Sequence, residues 1–196
     1  KGFYEPKYDS YQQKAFFVKK EVIMPKLYEL PNQIQEKVTK DILNFWESEK
    51  RYRQFGNVYK RNILLHSLPG NGKTSLINLV SKYLIEKYNG VIICINSKTN
   101  LLDYRVCMER LRSIEPRRKI ITIIEDFEKL TTDNSTCEIL LQLLDGNSQF
   151  DNVVTIATTN HPQVLEKRFT CRPSRSNLII EFKKPDKKVR RTYIIN

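Results

Sequence analysis

Ser67-Leu68-Pro69-Gly70-Asn71-Gly72-Lys73-Thr74 is the stretch that decides the fold. It reads as a phosphate-binding loop in which serine stands at the first glycine position. The strand-like run Asn62-Ile63-Leu64-Leu65-His66 precedes it, and Leu76, Leu79, Val80, Tyr83 and Leu84 follow at helical spacing. Strand, glycine-rich turn, Lys-Thr and helix in that order give the motif its meaning. Backbone N–H groups of such a turn and of the helix N-terminus face phosphate oxygens, and the helix dipole favours negative charge there. Gly70 and Gly72 allow close backbone approach. Lys73 can reach the β- and γ-phosphates, and the Thr74 hydroxyl can ligate Mg²⁺. Residues 67–75, including Ser75, are the expected nucleotide contacts. The competing reading is a glycine-rich turn entering a core helix.

Two later segments weigh against that alternative. Lys119-Ile120-Ile121-Thr122-Ile123-Ile124-Glu125-Asp126-Phe127-Glu128 is a β-branched run ending in acids. It predicts a buried parallel strand with carboxylates at its C-terminal edge, where open α/β sheets bind ligands. By position Glu125 takes a metal role, mostly through water, and Asp126 polarises the attacking water. The bland reading is an acidic turn capping the next element. Asn152-Val153-Val154-Thr155-Ile156-Ala157-Thr158-Thr159-Asn160 is a third apolar strand ending in an amide. Asn160 suits contact with a γ-phosphate and the nucleophilic water, and read alone it suits a turn before Pro162.

With these segments in order, the chain resembles the large nucleotide-binding subdomain of an AAA+ ATPase over residues 28–193. Ser67 to Thr74 stand at Walker A, Ile121 to Asp126 at Walker B and Asn160 at sensor 1, while Arg172-Pro173-Ser174-Arg175 resembles the arginine-finger segment. The Glu-Asp order, Leu-Leu-Gln-Leu-Leu-Asp-Gly at 140–146 and Thr-Thr-Asn-His at 158–161 look like the branch containing the mitochondrial inner-membrane AAA translocase. Ser67, Leu68 and Ser174 depart from the usual pattern. The resemblance implies ATP and Mg²⁺ as cofactors, with catalysis by Lys73, Asp126 and Asn160 and by Arg172 and Arg175 acting on a neighbour's nucleotide. It also implies a homo-oligomer, hexameric when full length. The expected fold is a three-layer αβα P-loop NTPase domain with a five-stranded parallel sheet in the order 5-1-4-3-2. In the family adenine packs near the Gly56–Asn57 loop.

The expected boundaries are an N-terminal extension over 1–30 and the AAA+ subdomain over 31–196, without its helical lid. Ala15 to Lys19 read as a short strand, and Ile34, Val38, Ile42, Phe45 and Trp46 as an amphipathic helix stripe. The 196 residues are 40% hydrophobic, enough for one core, and no apolar run is long enough for a membrane helix. The four cysteines have no metal spacing, which suits free thiols in a reducing, cytoplasmic compartment. The net charge of +12 clusters in 50–61, 110–119 and 183–191. Solvated faces explain it better than nucleic-acid binding, since no aromatic-interleaved basic stripe accompanies it. The leading function is therefore an ATP-hydrolysing ring module that remodels or translocates a macromolecule, with protein favoured over nucleic acid as substrate. The alternatives are a nucleic-acid loader and a nucleotide-binding assembly module with little hydrolysis.

Overall fold

The computed structural model describes residues 1–21, 33–145, 150–161, 163 and 177–183. In chain order the elements are β1 (Gly2–Asp9), β2 (Lys14–Lys20), α1 (Gln33–Glu47), α2 (Glu49–Gln54), β3 (Lys60–His66), α3 (Lys73–Tyr88) and β4 (Val91–Ile95). There follow α4 (Leu101–Ile114), β5 (Ile120–Ile124), α5 (Phe127–Leu130), α6 (Asn134–Asp145), β6 (Val153–Thr159) and β7 (Leu178–Glu181).

The strands form one sheet in the order β2-β1-β4-β5-β6-β3-β7. Strands alternate their side chains between faces, and both faces here are covered. Ile63, Leu65, Ile121, Ile123, Val154 and Ile156 pack on one side with Val38, Ile42 and Phe45 of α1 and Leu76, Ile77 and Val80 of α3. Leu64, Ile120, Ile124, Val153 and Ala157 pack on the other with Tyr104 and Met108 of α4, Phe127 of α5 and Leu140 of α6. This is the expected three-layer arrangement, and the amphipathic stripe of α1 packs into it. On the second face Asn62, Thr155 and Thr122 lie in register across β3, β6 and β5. The Asn62 amide donates to the Leu144 carbonyl at 3.0 Å, and the Tyr104 and Thr122 hydroxyls bond at 2.9 Å, so both buried groups are satisfied.

The expectation of a five-stranded sheet is corrected: the sheet has seven strands. β4, β5, β6, β3 and β7 are parallel and follow the expected order. The two added strands come from the N-terminal segment. β1 pairs parallel to β4 through Gly2, Phe3 and Tyr4, and antiparallel to β2 along its length. Its Pro6, which has no N–H, falls beyond the stretch paired with β4. The hairpin turn is closed by the Asp9 carboxylate, which accepts from the Tyr11 and Gln12 N–H groups. The Cys107 thiol and the Arg110 guanidinium of α4 donate to hairpin carbonyls at Lys7 and Gln13. Residues assigned to an extension are thus built into the same sheet.

Two smaller expectations also change. Tyr83 is exposed, and the buried face of α3 runs through Leu76, Ile77, Val80, Ser81 and Leu84. The Gly56–Asn57 loop opens β3 at the edge opposite the phosphate-binding loop, and a seven-residue strand separates the two by roughly 20 Å.

Much of the basic character is used inside the domain. Arg61 pairs with Asp41 at 2.5 Å, and Arg53 with Asp151 at 3.2 Å. Arg112 donates to the carbonyls of Arg118 and Asn152 at 2.6 and 2.8 Å, tying the turn before β5 to the start of β6. Burial pulls its guanidinium down to about 10. Lys119 lies over the rings of Trp46 and Tyr88. Cys94 is half-buried and Cys107 and Cys137 are buried, all as free thiols. Cys171 lies outside the described residues.

Candidate nucleotide-binding site

β3 ends at His66, and the chain then turns through the loop into α3. Gly70 and Gly72 take φ of 79° and 92°, a region costly for any residue with a Cβ. Gly72 caps α3, and a Cβ there would also meet the Phe182 ring at 3.7 Å. The Asn71 amide donates to the Phe182 carbonyl at 3.2 Å, and the Ser67 N–H to the Thr159 carbonyl at 3.3 Å. The loop is thereby held to the ends of β7 and β6. Its free N–H groups stand at the N-terminus of the sixteen-residue α3.

β5 and β6 run parallel to β3, so their C-terminal ends reach the same edge. There an open cleft of about 510 Å³ is lined by residues 69–75, Glu125, Asp126, Thr158 and Asn160. Expected site residues from three separate segments therefore meet. Ser67 is buried beside Lys73 and Leu68 is exposed, and neither lines the cleft. Leu68 enters the network through its carbonyl. Thr74 is exposed at the first turn of α3. Arg172 and Arg175 lie outside the described residues.

Lys73 is the centre of the site. It is only 9% exposed, and its Nζ donates to the Ser67 carbonyl (3.0 Å), the Ser67 Oγ (2.8 Å), the Leu68 carbonyl (3.3 Å) and the Asn160 Oδ1 (2.8 Å). Burial lowers its affinity for a proton, and the carboxylates of Glu128 and Asp126 partly offset this.

The two adjacent acids differ in their partners. Asp126 sits at φ 49°, ψ 54°, with its N–H on the Thr158 Oγ1 at 3.3 Å. Its Oδ2 pairs with Lys129 at 2.6 Å, and its Oδ1 accepts from the Asn160 amide at 3.4 Å. Glu125 is held by its backbone, whose N–H donates to the Ile95 carbonyl at 3.3 Å. Its carboxylate has no hydrogen-bond or ion-pair partner among the described residues and faces the cleft.

Four residues at this edge had been given no role from sequence. Glu128 accepts from the Asn160 N–H through Oε1 at 3.2 Å, while its buried Oε2 has no partner among the described residues. Its place three residues after Glu125 was the available signal. Thr158 was legible as two residues before Asn160, at the end of β6. Lys129 was legible as the residue three after Asp126. Lys20 was not legible: the β1–β2 hairpin brings it to Glu5 at 3.1 Å, Glu5 accepts from Asn96 at 3.5 Å, and the charge of Glu125 reaches Lys20.

The fit to a nucleotide is good on the chain's own chemistry. Positive-φ glycines, a helix N-terminus, a buried ammonium and a carboxylate without a partner among the described residues share one cleft. Fold and loop define a P-loop-type α/β protein. The chain belongs to the AAA ATPases: the family model described as "ATPase family associated with various cellular activities (AAA)" matches residues 63–184. It is 31% identical over 153 residues to the probable mitochondrial chaperone BCS1-A of Dictyostelium discoideum, covering 70% of this chain and 35% of the relative. It is 30% identical over 167 residues to the mitochondrial chaperone BCS1 of Danio rerio (76% and 38% covered). It is 26% identical over 157 residues to a 26S proteasome regulatory subunit 6B homolog of Encephalitozoon cuniculi (71% and 39% covered). The chain thus spans little more than a third of these relatives' length. Among the described residues no helix is long and apolar enough to cross a membrane.

Proposed function

We propose that this chain is the ATP-hydrolysing module of a ring-forming AAA protein that remodels a protein substrate. The observation carrying this reading is that Lys73, Glu125, Asp126 and Asn160 converge on one cleft beside the positive-φ glycines of the loop. ATP brings the phosphoric anhydride, and bound Mg²⁺ would neutralise charge on its phosphates. The loop N–H groups and Lys73 bind β- and γ-phosphate oxygens. The Thr74 hydroxyl and the Glu125 carboxylate would hold Mg²⁺. Asp126 takes the proton of the attacking water. Asn160, fixed through its N–H by Glu128, orients that water against the γ-phosphate. Positioning and fixed charge thus supply most of the rate. Arg172 and Arg175 are assigned, on the sequence resemblance, to the neighbouring subunit's nucleotide. A protein substrate is supported by relatives named as chaperones and as a proteasome regulatory subunit.

One observation favours a second reading, a nucleotide-dependent assembly module with little hydrolysis. Asp126 Oδ2 is engaged by Lys129 at 2.6 Å, which occupies an oxygen that an attacking water would need. Phosphate release from the full-length protein, measured against protein concentration, separates the two. A per-subunit rate that climbs with concentration supports hydrolysis in a ring. Tight ATP binding with no release at any concentration supports the assembly module.

A further inference from the structure

Lys73 Nζ has three protons, and residues 67 and 68 alone offer it three oxygens: two carbonyls and the Ser67 Oγ. The Ser67 hydroxyl gives its own proton to the Leu68 carbonyl at 2.8 Å, which leaves its lone pairs for the ammonium. A glycine at 67, the usual residue of such loops, would offer the two carbonyls only. Once Asn160 Oδ1 turns to the attacking water, one ammonium proton would then be free for a phosphate oxygen. Ser67 is not in the left-handed region and is 6% exposed, so its side chain is accommodated without strain and acts on the site directly. Asn160 adds a fourth oxygen at 2.8 Å, so the amine is over-supplied with acceptors.

The geometry points to Ser67 as an affinity-setting residue: its hydroxyl occupies the hydrogen-bonding capacity of Lys73 that a phosphate would otherwise take, and so weakens nucleotide binding. This rests on the nucleotide-binding reading of the cleft. A phosphate oxygen reaching Lys73 must displace an acceptor already in place. The Ser67 Oγ, at 2.8 Å, is the only one of the four that the residue type at position 67 adds.

The test is calorimetric binding of Mg²⁺-ATP and Mg²⁺-ADP to the wild-type chain, Ser67→Ala and Ser67→Thr, with thermal unfolding as a folding check. Ser67→Ala removes the hydroxyl and keeps the Cβ, so it should bind both nucleotides about tenfold more tightly, as expected for loss of one charge-assisted competing hydrogen bond. Ser67→Thr keeps the hydroxyl and should bind as the wild type does. Equal or weaker binding by Ser67→Ala overturns the inference. Equal tightening by both variants overturns it too, since loop geometry would then be responsible. If no form binds nucleotide at millimolar concentration, the nucleotide site itself is refuted, and this inference falls with it.

Discussion

Replacing Lys73 with alanine should separate binding from folding. In the proposed complex the ammonium gives two charge-assisted hydrogen bonds to phosphate oxygens. At ~1.5–3 kcal/mol each, their loss removes ~3–6 kcal/mol, roughly 10²- to 10⁴-fold in Kd. Folding should hardly notice. The side chain is buried within a cleft that opens to water, so the carbonyls of Ser67 and Leu68 can rehydrate once the amine is gone. The removed charge was itself held at a cost, since burial depresses its proton affinity. A stability change within about 1 kcal/mol, or about 2–4 °C in Tm, follows for a chain of this size. Titration with a fluorescent ATP analogue reads the first quantity and thermal unfolding without nucleotide the second. Wild-type affinity in the variant would show that the loop is not the site. A collapse of Tm would show that Lys73 is a structural residue whose loss removes binding indirectly.

The adjacent acids should part company: Asp126→Asn keeps ATP binding and lowers turnover by about 10²-fold or more, while Glu125→Gln weakens Mg²⁺-dependent binding; the opposite pattern in paired binding and phosphate-release assays reverses their roles. For Lys60, desolvation pulls the amine from 10.5 down to about 8, with Asp145 acting weakly in the opposite direction. Between those values the unfolded chain holds a proton that the folded chain has lost, so the wild type gains stability as pH rises through this window and carries the full cost below it. Lys60→Met should therefore be more stable near pH 7 by ~1–2 kcal/mol after allowance for solvent screening, with a gap that narrows towards pH 10.5 in urea titrations. A constant gap would contradict the buried-amine account. Arg172→Ala and Arg175→Ala in the full-length protein should bind ATP normally and hydrolyse it poorly, and mixing either with Lys73→Ala subunits should restore part of the rate. A rate per subunit unchanged on dilution to monomer would rule out catalysis across an interface.

The parallel core and the centre of the site were legible in the sequence because both are written in local chemistry. A β-branched run such as Ile120–Ile124 has few ways to be satisfied other than as a strand covered on both faces. Gly70 and Gly72 mark backbone that other residues adopt only under strain. Lys73, Thr74, Glu125, Asp126 and Asn160 could be ordered along the chain because each sits at the end of such a strand or the start of a helix. Tertiary structure decided what depends on contacts distant in sequence. β1 joins the sheet by pairing Gly2–Tyr4 with Val91–Ile93, a partnership that no local pattern in β1 encodes, so residues read as an extension became two further strands. The roles of the basic residues were settled the same way, because whether Arg61 or Arg112 is solvated depends on a distant Asp41 or on the Asn152 carbonyl. Ser67 shows the division most clearly. Its presence at a glycine position was visible in the sequence, but only the folded loop places its hydroxyl 2.8 Å from Lys73 Nζ, turning a departure from pattern into a contact with consequences.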